Sequence, residues 1–310
     1  MNEDDIISFL YQEGQRPVDD CAYLADHQLL ITADSMVEHT HFQLEWTTPQ
    51  QLAHKLFQVN LSDIAASGGD PIWCILQMGF PQNFDTGWIQ DFANSFRYQC
   101  ESFNCKLIGG DTFRSDNVVF SITMAGHTTR YIQRQALAGD SIYLTGEIGW
   151  SLIGLKYLQA QQSLTEYQKQ KALKRHLTPN ARLSWSQELR KYSEIHGMMD
   201  LSDGLLIDAT RFAKAANLVF AIYLDKLPSA DQLPLTQLQQ ATSGEEYELL
   251  FTAPPGLSFN FPVRQIGSVL PKSKNQNNNS SAYLQLFQNF DDQQPIDLTQ
   301  LDLGFQHFQK

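Results

Sequence analysis

The chain of 310 residues has few cysteines, few basic residues and no long hydrophobic run. Its four cysteines form no C-x-x-C pair and no zinc spacing, which indicates free thiols in a reducing compartment. Lysine and arginine total 22 against 34 acidic residues, and the net charge of −12 argues against nucleic acid as a partner. The acidic start MNEDDIISFL lacks the basic region of a signal peptide, and no segment approaches membrane-spanning length. These absences predict a cytoplasmic protein that binds neither nucleic acid nor membrane.

Common catalytic signatures are also missing. The sequence contains no G-x-S-x-G, no H-E-x-x-H, and neither H-R-D nor D-F-G of protein kinases. A glycine-rich turn at 146–149 leads into a predicted helix and could hold a phosphate at the helix N-terminus. It lacks the residues of a Walker A motif and the three-glycine dinucleotide spacing. His39 and His41 alternate in VEHTHF, and this spacing fits either a zinc ligand pair or two histidines of a surface loop.

In place of these motifs, the sequence contains several acidic residues near predicted strand ends. The stretch MDLSDGLLID, residues 199–208, reads as a strand end, a tight turn and a helix start, with Asp200 and Asp203 three apart. Taken alone, it also fits an ordinary capped helix with Ser202 or Asp203 as the N-cap. The same acidic character recurs at four further places: Asp19-Asp20, Asp34, Asp63 and Asp111.

Several carboxylates close together in apolar surroundings need positively charged or hydrogen-bonding partners. Asp63 falls on the buried stripe of a predicted helix over 51–69, where an unpaired charge is unfavourable. A divalent metal ion is a common partner for several such groups. Clustered carboxylates without an obvious nucleophile fit metal-assisted phosphoryl transfer.

Length and periodicity predict an α/β (α+β) protein of two domains. Hydrophobic residues make up 42% of the chain, enough for a large core. The first 130 residues read as β-α-β-α-β-β, and a linker over 130–139 precedes a second α/β unit. We therefore expect domain bounds of 1–137 and 138–310.

Two details of the N-terminal domain follow from local patterns. A strand over 106–108 is expected to end in a turn at Gly109–Thr112, where two glycines would let a phosphate or metal approach the backbone. The next strand, over 118–126, is expected to pair with it across a turn at 114–117.

Six stretches occur in the same order as the motifs of the thiamine-monophosphate kinase family: ITADSMVEHTHF, VNLSDIAASGGDP, IGGDTFR, GDSIYLTGEIG, MMDLSDGLLID and SGEEYELLF. The resemblance covers about residues 18–270, with a weaker echo at GFQHF. It implies an aminoimidazole ribonucleotide synthetase-like fold whose N-terminal domain dimerises through its sheet. It also implies Mg²⁺-dependent transfer of phosphoryl from ATP to thiamine monophosphate, giving thiamine diphosphate and ADP.

The resemblance assigns roles residue by residue. It implies six magnesium carboxylates and two neighbouring contact positions: Asp20, Asp34, Asp63, Asp111, Asp200 and Asp203, with Thr32 and Ala33. Contacts to ATP are implied for Gly110, Asp111, Arg134 and Ser202, and contacts to thiamine monophosphate for His41, Glu245 and Phe305.

The sequence departs from the family pattern at several positions. Val18 stands where glycine is usual, Ala33 where threonine is usual, and Trp150 where aspartate is usual. Ser243–Glu246 replaces GGED, and Phe305 stands where tyrosine or tryptophan is common. All six carboxylates are retained. Two alternatives stay open: an ATP-dependent enzyme of the same superfamily with another acceptor, and a nucleotide- or metal-binding protein without turnover.

Overall fold

The computed structural model describes residues 6–7, 9–11, 18–228, 233–272, 282–299, 301 and 303–304. The chain divides into two compact units. The N-terminal unit comprises Asp20–Tyr131 and Ile153–Lys191; the C-terminal unit comprises the described parts of Met1–Asp19, Ile132–Leu152 and Tyr192–Lys310. The domain bounds 1–137 and 138–310 stay a prediction. Within the described residues, no helix combines the length and apolar character needed to cross a bilayer.

The N-terminal unit is built on a five-stranded sheet. Its strands are β1 (Ala22–Leu24), β2 (Leu29–Val37), β3 (Asp70–Phe80), β4 (Lys106–Arg114) and β5 (Val119–His127). They lie in the order β1-β2-β5-β3-β4, and β4 runs parallel to β3 while the other neighbours are antiparallel. Every residue of β4 is exposed at this edge of the sheet.

The N-terminal unit also contains α1 (Pro49–Ala66) and α2 (Thr86–Ser102), which pack on the sheet, and α3 (Trp150–Leu158, of which Ile153 onward belongs to this unit), α4 (Glu166–Leu177) and α5 (Leu183–Leu189). Thr48 begins α1 with a capping box to Gln51. The apolar faces of α1 and α2 bury Phe57, Phe92 and Phe96 in a core with side chains of the sheet. Because α1 lies on the sheet, its residues can meet side chains from β2.

The segment 153–191 completes the N-terminal unit. Ser186 Oγ of α5 donates to the Ala65 carbonyl at 2.5 Å, and Arg190 donates to Asp70 Oδ2 at 2.6 Å. His54 of α1 hydrogen-bonds the Pro179 carbonyl through Nε2 at 2.7 Å. Residues more than 100 positions apart in sequence therefore form one unit.

The C-terminal unit contains a six-stranded sheet: β6 (Ser141–Leu144), β7 (Gly197–Asp200), β8 (Val219–Tyr223), β9 (Leu249–Ala253), β10 (Arg264–Leu270) and β11 (Leu284–Phe287). The strand order is β11-β8-β10-β6-β9-β7. Helices α6 (Leu205–Ala216) and α7 (Gln237–Ala241) belong to this unit. The apolar stripe of α6, including Leu206, Ala209 and Phe212, is fully buried in its core. The predicted α/β (α+β) class is confirmed.

Two local predictions in the N-terminal unit are wrong. Gly109–Thr112 is not a turn but lies inside β4, which continues to Arg114. β5 does not pair with β4; it lies between β2 and β3 and is antiparallel to both. The crossover through α2 makes β3 and β4 parallel neighbours, so the short connection after β4 does not form a hairpin.

Candidate active site

Thr32 and two of the predicted metal-binding aspartates lie close together in the N-terminal unit. The hydroxyl of Thr32 on β2 donates a 2.5 Å hydrogen bond to Oδ2 of Asp63 on α1. One carboxylate oxygen of Asp20 lies within 4.8 Å of one of Asp63. Two ionised carboxylates at such a distance repel each other, and a divalent cation with oxygen ligands relieves that repulsion. This group of oxygens therefore fits Mg²⁺ better than softer metals.

A buried asparagine holds the backbone beside these groups. The N–H of Asp34 donates to Asn60 Oδ1 at 3.1 Å, and Asn60 Nδ2 donates to the Leu56 carbonyl at 2.9 Å. The preceding residue, Ala33, is exposed and brings no side-chain oxygen. Sequence reasoning missed Asn60, which is fully buried. A polar residue among the apolar residues of the predicted helix was a usable signal, since buried polar groups need hydrogen-bond partners.

Gly110 and Asp111 occupy the exposed edge strand β4. A Cβ at Gly110 would collide with the carbonyl oxygen of Leu76 on β3, so close strand packing explains this glycine. Asp111 Oδ1 accepts the N–H of Thr112 at 2.9 Å. Among the described residues, neither Asp34 nor Asp111 belongs to a group of three or more carboxylates near enough to share an ion.

The two histidines of VEHTHF have separate partners. His41 Nδ1 accepts the N–H of Val37 at 3.0 Å, so the neutral ring carries its hydrogen on Nε2. His39 is exposed, and its Nδ1 lies 2.8 Å from Gln43 Oε1. Because Nδ1 of His41 already accepts a backbone hydrogen bond, the loop interpretation fits these residues better than a zinc pair.

In the C-terminal unit, the loop after β7 contains the other predicted ligands. β7 ends at Asp200, which is 2% exposed, and α6 begins at Leu205. The N-cap is Gly204, with a φ of 116°, and it has no side chain to cap the helix. The structure therefore rules out the alternative of an ordinary capped helix with Ser202 or Asp203 as the N-cap.

Asp208, a residue without a predicted role, organises this loop. Its Oδ2 accepts three backbone N–H groups, those of Ser202 at 3.0 Å, Asp203 at 3.0 Å and Gly204 at 3.1 Å. Arg211 donates to the carboxylates of both Asp203 and Asp208. The signal was present in the sequence, since Asp208 closes the stretch MDLSDGLLID on the buried face of the predicted helix.

The charge state of Asp208 reflects its surroundings. Burial, together with the nearby Asp203 carboxylate, raises the pKa of Asp208 to about 7. The guanidinium groups of Arg211 and Arg134 act in the opposite direction on this pKa. Arg134 therefore lies near enough to Asp208 to stabilise its ionised form. The Arg134 backbone N–H donates to Asp19 Oδ1 at 2.7 Å, which gives Asp19 a supporting position that sequence reasoning missed.

Glu245 lies beside the same loop. Its N–H donates to the Ser202 carbonyl at 2.7 Å, and the Tyr247 N–H donates to the Leu201 carbonyl at 2.8 Å. The Leu201 N–H in turn donates to the Glu248 carbonyl at 2.9 Å. Glu245 has a φ of 57°, which is uncommon for a residue with a side chain and is found often at functional sites.

The glycine-rich turn before α3 is already occupied by a carboxylate of the protein. Glu246 Oε1 accepts the N–H groups of Gly149 at 2.7 Å and Ser151 at 3.0 Å, as well as the Ser243 hydroxyl at 2.6 Å. Glu246 is fully buried, so the hypothesis of a phosphate at this helix N-terminus is not supported. Trp150 is also fully buried and donates its indole N–H to Glu147 Oε2 at 2.9 Å.

Gly304 brings the end of the described chain to the same place. It has a φ of 144°, and a Cβ at this position would collide with the carbonyl oxygen of Asp203. A side chain at 304 is therefore excluded on both steric and conformational grounds. Phe305, the predicted acceptor contact, lies outside the described residues.

Family models match both parts of the chain. The AIR synthase related protein, N-terminal domain, matches residues 18–128, and the corresponding C-terminal domain matches residues 138–260.

Two curated relatives that align with this chain over most of their own length are thiamine-monophosphate kinases. That of Leptospira interrogans is 41% identical over 259 residues, covering 82% of this chain and 84% of its own. The Haemophilus influenzae protein is 33% identical over 313 residues, covering 94% and 91%.

Two solved structures are also similar to this chain in fold. Thiamine monophosphate kinase from Aquifex aeolicus matches with a TM-score of 0.78 and 30% identity, over 86% of this chain and 92% of its own. A structure of AaThiL complexed with AMPPCP and TMP matches with a TM-score of 0.84 and 26% identity, over 99% and 97%.

Proposed function

Because the chain belongs to the thiamine-monophosphate kinase family, we propose that it transfers the γ-phosphoryl group of ATP to thiamine monophosphate, forming thiamine diphosphate and ADP. The observation that carries this proposal is 41% identity to a kinase of that name over 82% of the chain. The likeness to a structure complexed with AMPPCP and TMP supports both substrates.

The chemistry of the acceptor explains why no catalytic base stands out. A phosphate monoester is largely ionised at neutral pH, so its oxygen can attack without losing a proton to the enzyme. The main barrier is the repulsion between two anions, in a protein whose own net charge is −12. Within this proposal, Arg134 supplies positive charge next to the loop of Ser202 and Asp203.

The proposed magnesium ligands are oxygen atoms of the residues that the resemblance assigns. Magnesium ions, when bound, neutralise phosphate charge and hold the reacting groups in line. The proposed ligand positions are Asp20, Thr32, Ala33, Asp34, Asp63 and Asp111 of the N-terminal unit, and Asp200 and Asp203 of the C-terminal unit. The Thr32–Asp63 hydrogen bond and the proximity of Asp20 to Asp63 support the first group. Ala33 can contribute only its backbone oxygen.

The nucleotide and acceptor contacts remain those of the resemblance. We propose that Gly110, Asp111, Arg134 and Ser202 contact ATP, and that His41, Glu245 and Phe305 contact thiamine monophosphate. The backbone bond from Glu245 to Ser202 supports neighbouring positions for an acceptor contact and a nucleotide contact. Trp150 is buried with its own partner, so it serves packing rather than nucleotide binding.

A homodimer formed through the N-terminal sheet belongs to the same proposal. The edge strand β4 exposes Leu107, Ile108 and Phe113 by 44%, 57% and 42%. An exposed apolar edge strand is an aggregation hazard unless another chain covers it. A cytoplasmic location is supported by the four cysteines, which are all buried and free.

A coupled assay of ADP release with several acceptors tests the function. Thiamine monophosphate and MgATP should give ADP and thiamine diphosphate, whereas free thiamine should be a poor acceptor because it lacks the attacking phosphate. Asp63→Asn should nearly abolish turnover. Asp70→Asn is the matched control, because Asp70 lies in the same unit, pairs with Arg190 and is not a proposed ligand.

The same assay separates the alternatives. The fold alone is shared with the hydrogenase maturation protein HypE, at 14% identity and a TM-score of 0.65. ADP release with a different acceptor would assign the chain to another activity of the superfamily. Nucleotide or metal binding without ADP release under any acceptor would favour a non-catalytic protein.

A further inference from the structure

One carboxylate oxygen determines the path of the loop 202–204. Asp208 Oδ2 accepts the N–H groups of all three loop residues within 3.1 Å. The Asp208 N–H donates to the Gly204 carbonyl at 3.0 Å, so main chain and side chain both tie this residue to the loop. Asp208 is completely buried, which makes these bonds stronger than they would be in water.

This arrangement differs from ordinary helix capping. A capping side chain accepts N–H groups of the first helical turn, which in α6 belong to residues 205–207. Asp208 instead reaches backward from the helix and accepts N–H groups that precede it. The bonds therefore shape the loop rather than complete the helix.

The loop is also held through its carbonyl groups. The Leu201 and Ser202 carbonyls accept the N–H groups of Tyr247 and Glu245. With N–H groups bonded to Asp208 and carbonyls bonded to the 245–247 segment, the peptide orientations of the loop are determined. What remains adjustable is the placement of its side chains.

Arg211 links the second oxygen of Asp208 to the Asp203 side chain. It donates to Asp208 Oδ1 at 3.3 Å and to Asp203 Oδ2. Asp208 therefore acts on Asp203 twice, once through the backbone and once through Arg211. Removing its charge disturbs the second route, and removing its oxygens disturbs both.

We propose that Asp208 is a positioning residue that sets Asp203 and Ser202 for Mg²⁺ and nucleotide, without itself touching either. The inference rests on the proposed function for the identity of the ligands. Outer groups that orient metal ligands typically change metal affinity or activity by about 10–100-fold when they are replaced. We expect a loss of about 10-fold for Asp208→Asn, which keeps one oxygen for the loop, and nearer 100-fold for Asp208→Ala.

The test uses Mn²⁺ as the probe, titrated calorimetrically into the full chain without substrates. Mn²⁺ affinity should fall in the order wild type, Asp208→Asn, Asp208→Ala. Hydrogen exchange of the 202–204 amides should accelerate in Asp208→Ala and change little in Asp208→Asn. In assays, half-saturating Mg²⁺ should rise by the same factors, with little change in the Michaelis constant for thiamine monophosphate.

Asp140→Ala is the matched control, because Asp140 is a buried aspartate of the same unit that accepts the Leu137 N–H and pairs with His196. It should lower the melting temperature and leave Mn²⁺ affinity unchanged. Unchanged Mn²⁺ affinity in folded Asp208→Asn and Asp208→Ala, or an equal loss in Asp140→Ala, would overturn the proposal. If Asp208→Ala does not fold, Asp208→Asn and the control decide the matter. A wild-type protein that binds Mn²⁺ but makes no thiamine diphosphate would refute the proposed function and leave the positioning role supported by the binding and exchange data.

Discussion

Glu245 has a backbone conformation that glycine adopts more easily than glutamate. Its φ of 57° is in the left-handed region, and its N–H is bonded to the Ser202 carbonyl. A glutamate retained in this conformation suggests that its side chain has a use that outweighs the strain.

Replacing Glu245 by glycine separates these two effects. We expect Glu245→Gly to melt within a few degrees of the wild type, because the relieved strain offsets the greater freedom of the unfolded chain. The Michaelis constant for thiamine monophosphate should rise at least about 10-fold, since a charge-assisted contact contributes about 1.5–3 kcal/mol. The Michaelis constant for ATP should change little.

Asn217→Gly is the control for this experiment. Asn217 ends α6 with a φ of 52°, in the same unit, and has no proposed contact with a substrate. It should leave both Michaelis constants unchanged. An equal rise in both constants for Glu245→Gly would show that Glu245 has been placed wrongly.

The sequence allows prediction of those candidate-site residues whose side-chain chemistry alone marks them, such as the carboxylates. Asp63 was expected on a buried stripe; it is partly buried, and it lies beside Thr32 and Asp20. Asp208 and Asn60 stand out in the sequence as polar residues on apolar helix faces, but their roles were not predictable, because they bond particular backbone groups whose geometry a sequence does not show. The same holds for Glu246, whose carboxylate accepts hydrogen bonds from the turn for which the sequence offered a phosphate.

At the scale of elements, periodic segments were predicted well and strand partners were not. The helix expected over 51–69 occurs as Pro49–Ala66. The glycines of β4 suggested a turn, but Gly110 is needed because the β3 backbone passes close to it. Pairing depends on long-range order in the sheet, which local patterns do not record.

The exposed strand β4 gives a prediction about assembly. Ile108→Lys should convert the proposed dimer to a monomer, because a charged edge strand resists pairing and the residue is 57% exposed. Light scattering at micromolar concentration measures the change. Leu137→Lys is the control, since Leu137 is 58% exposed in the C-terminal unit. A wild-type mass equal to the monomer, or a dimer that survives Ile108→Lys, would contradict the proposed interface.

At the scale of the whole molecule, the units do not follow the order of the chain. The N-terminal unit needs the segment Ile153–Lys191, which supplies Ser186 and Arg190 as partners for Ala65, Gly68 and Asp70. A division of the chain near residue 137 would separate these groups.

A fragment of residues 1–137 should therefore fold poorly. Without α4 and α5, part of the α1 surface loses its cover, and we expect dye binding to exposed apolar surface and a broad melt. A fragment of residues 18–191 contains the complete N-terminal unit and should melt cooperatively. Equally sharp melting of the two fragments would count against this account.

The interleaved units also determine when each part of a newly made chain can fold. Residue 131 leaves the ribosome about 3–12 s before residue 191, at a synthesis rate of 5–20 residues per second. During that interval α1 lacks the partners that α5 brings. Strand β6 stays without its neighbouring strands for longer, because β9 and β10 are synthesised more than 100 residues later. The nascent chain thus exposes apolar surface for seconds, and chaperones that bind apolar surface can act on it during this interval.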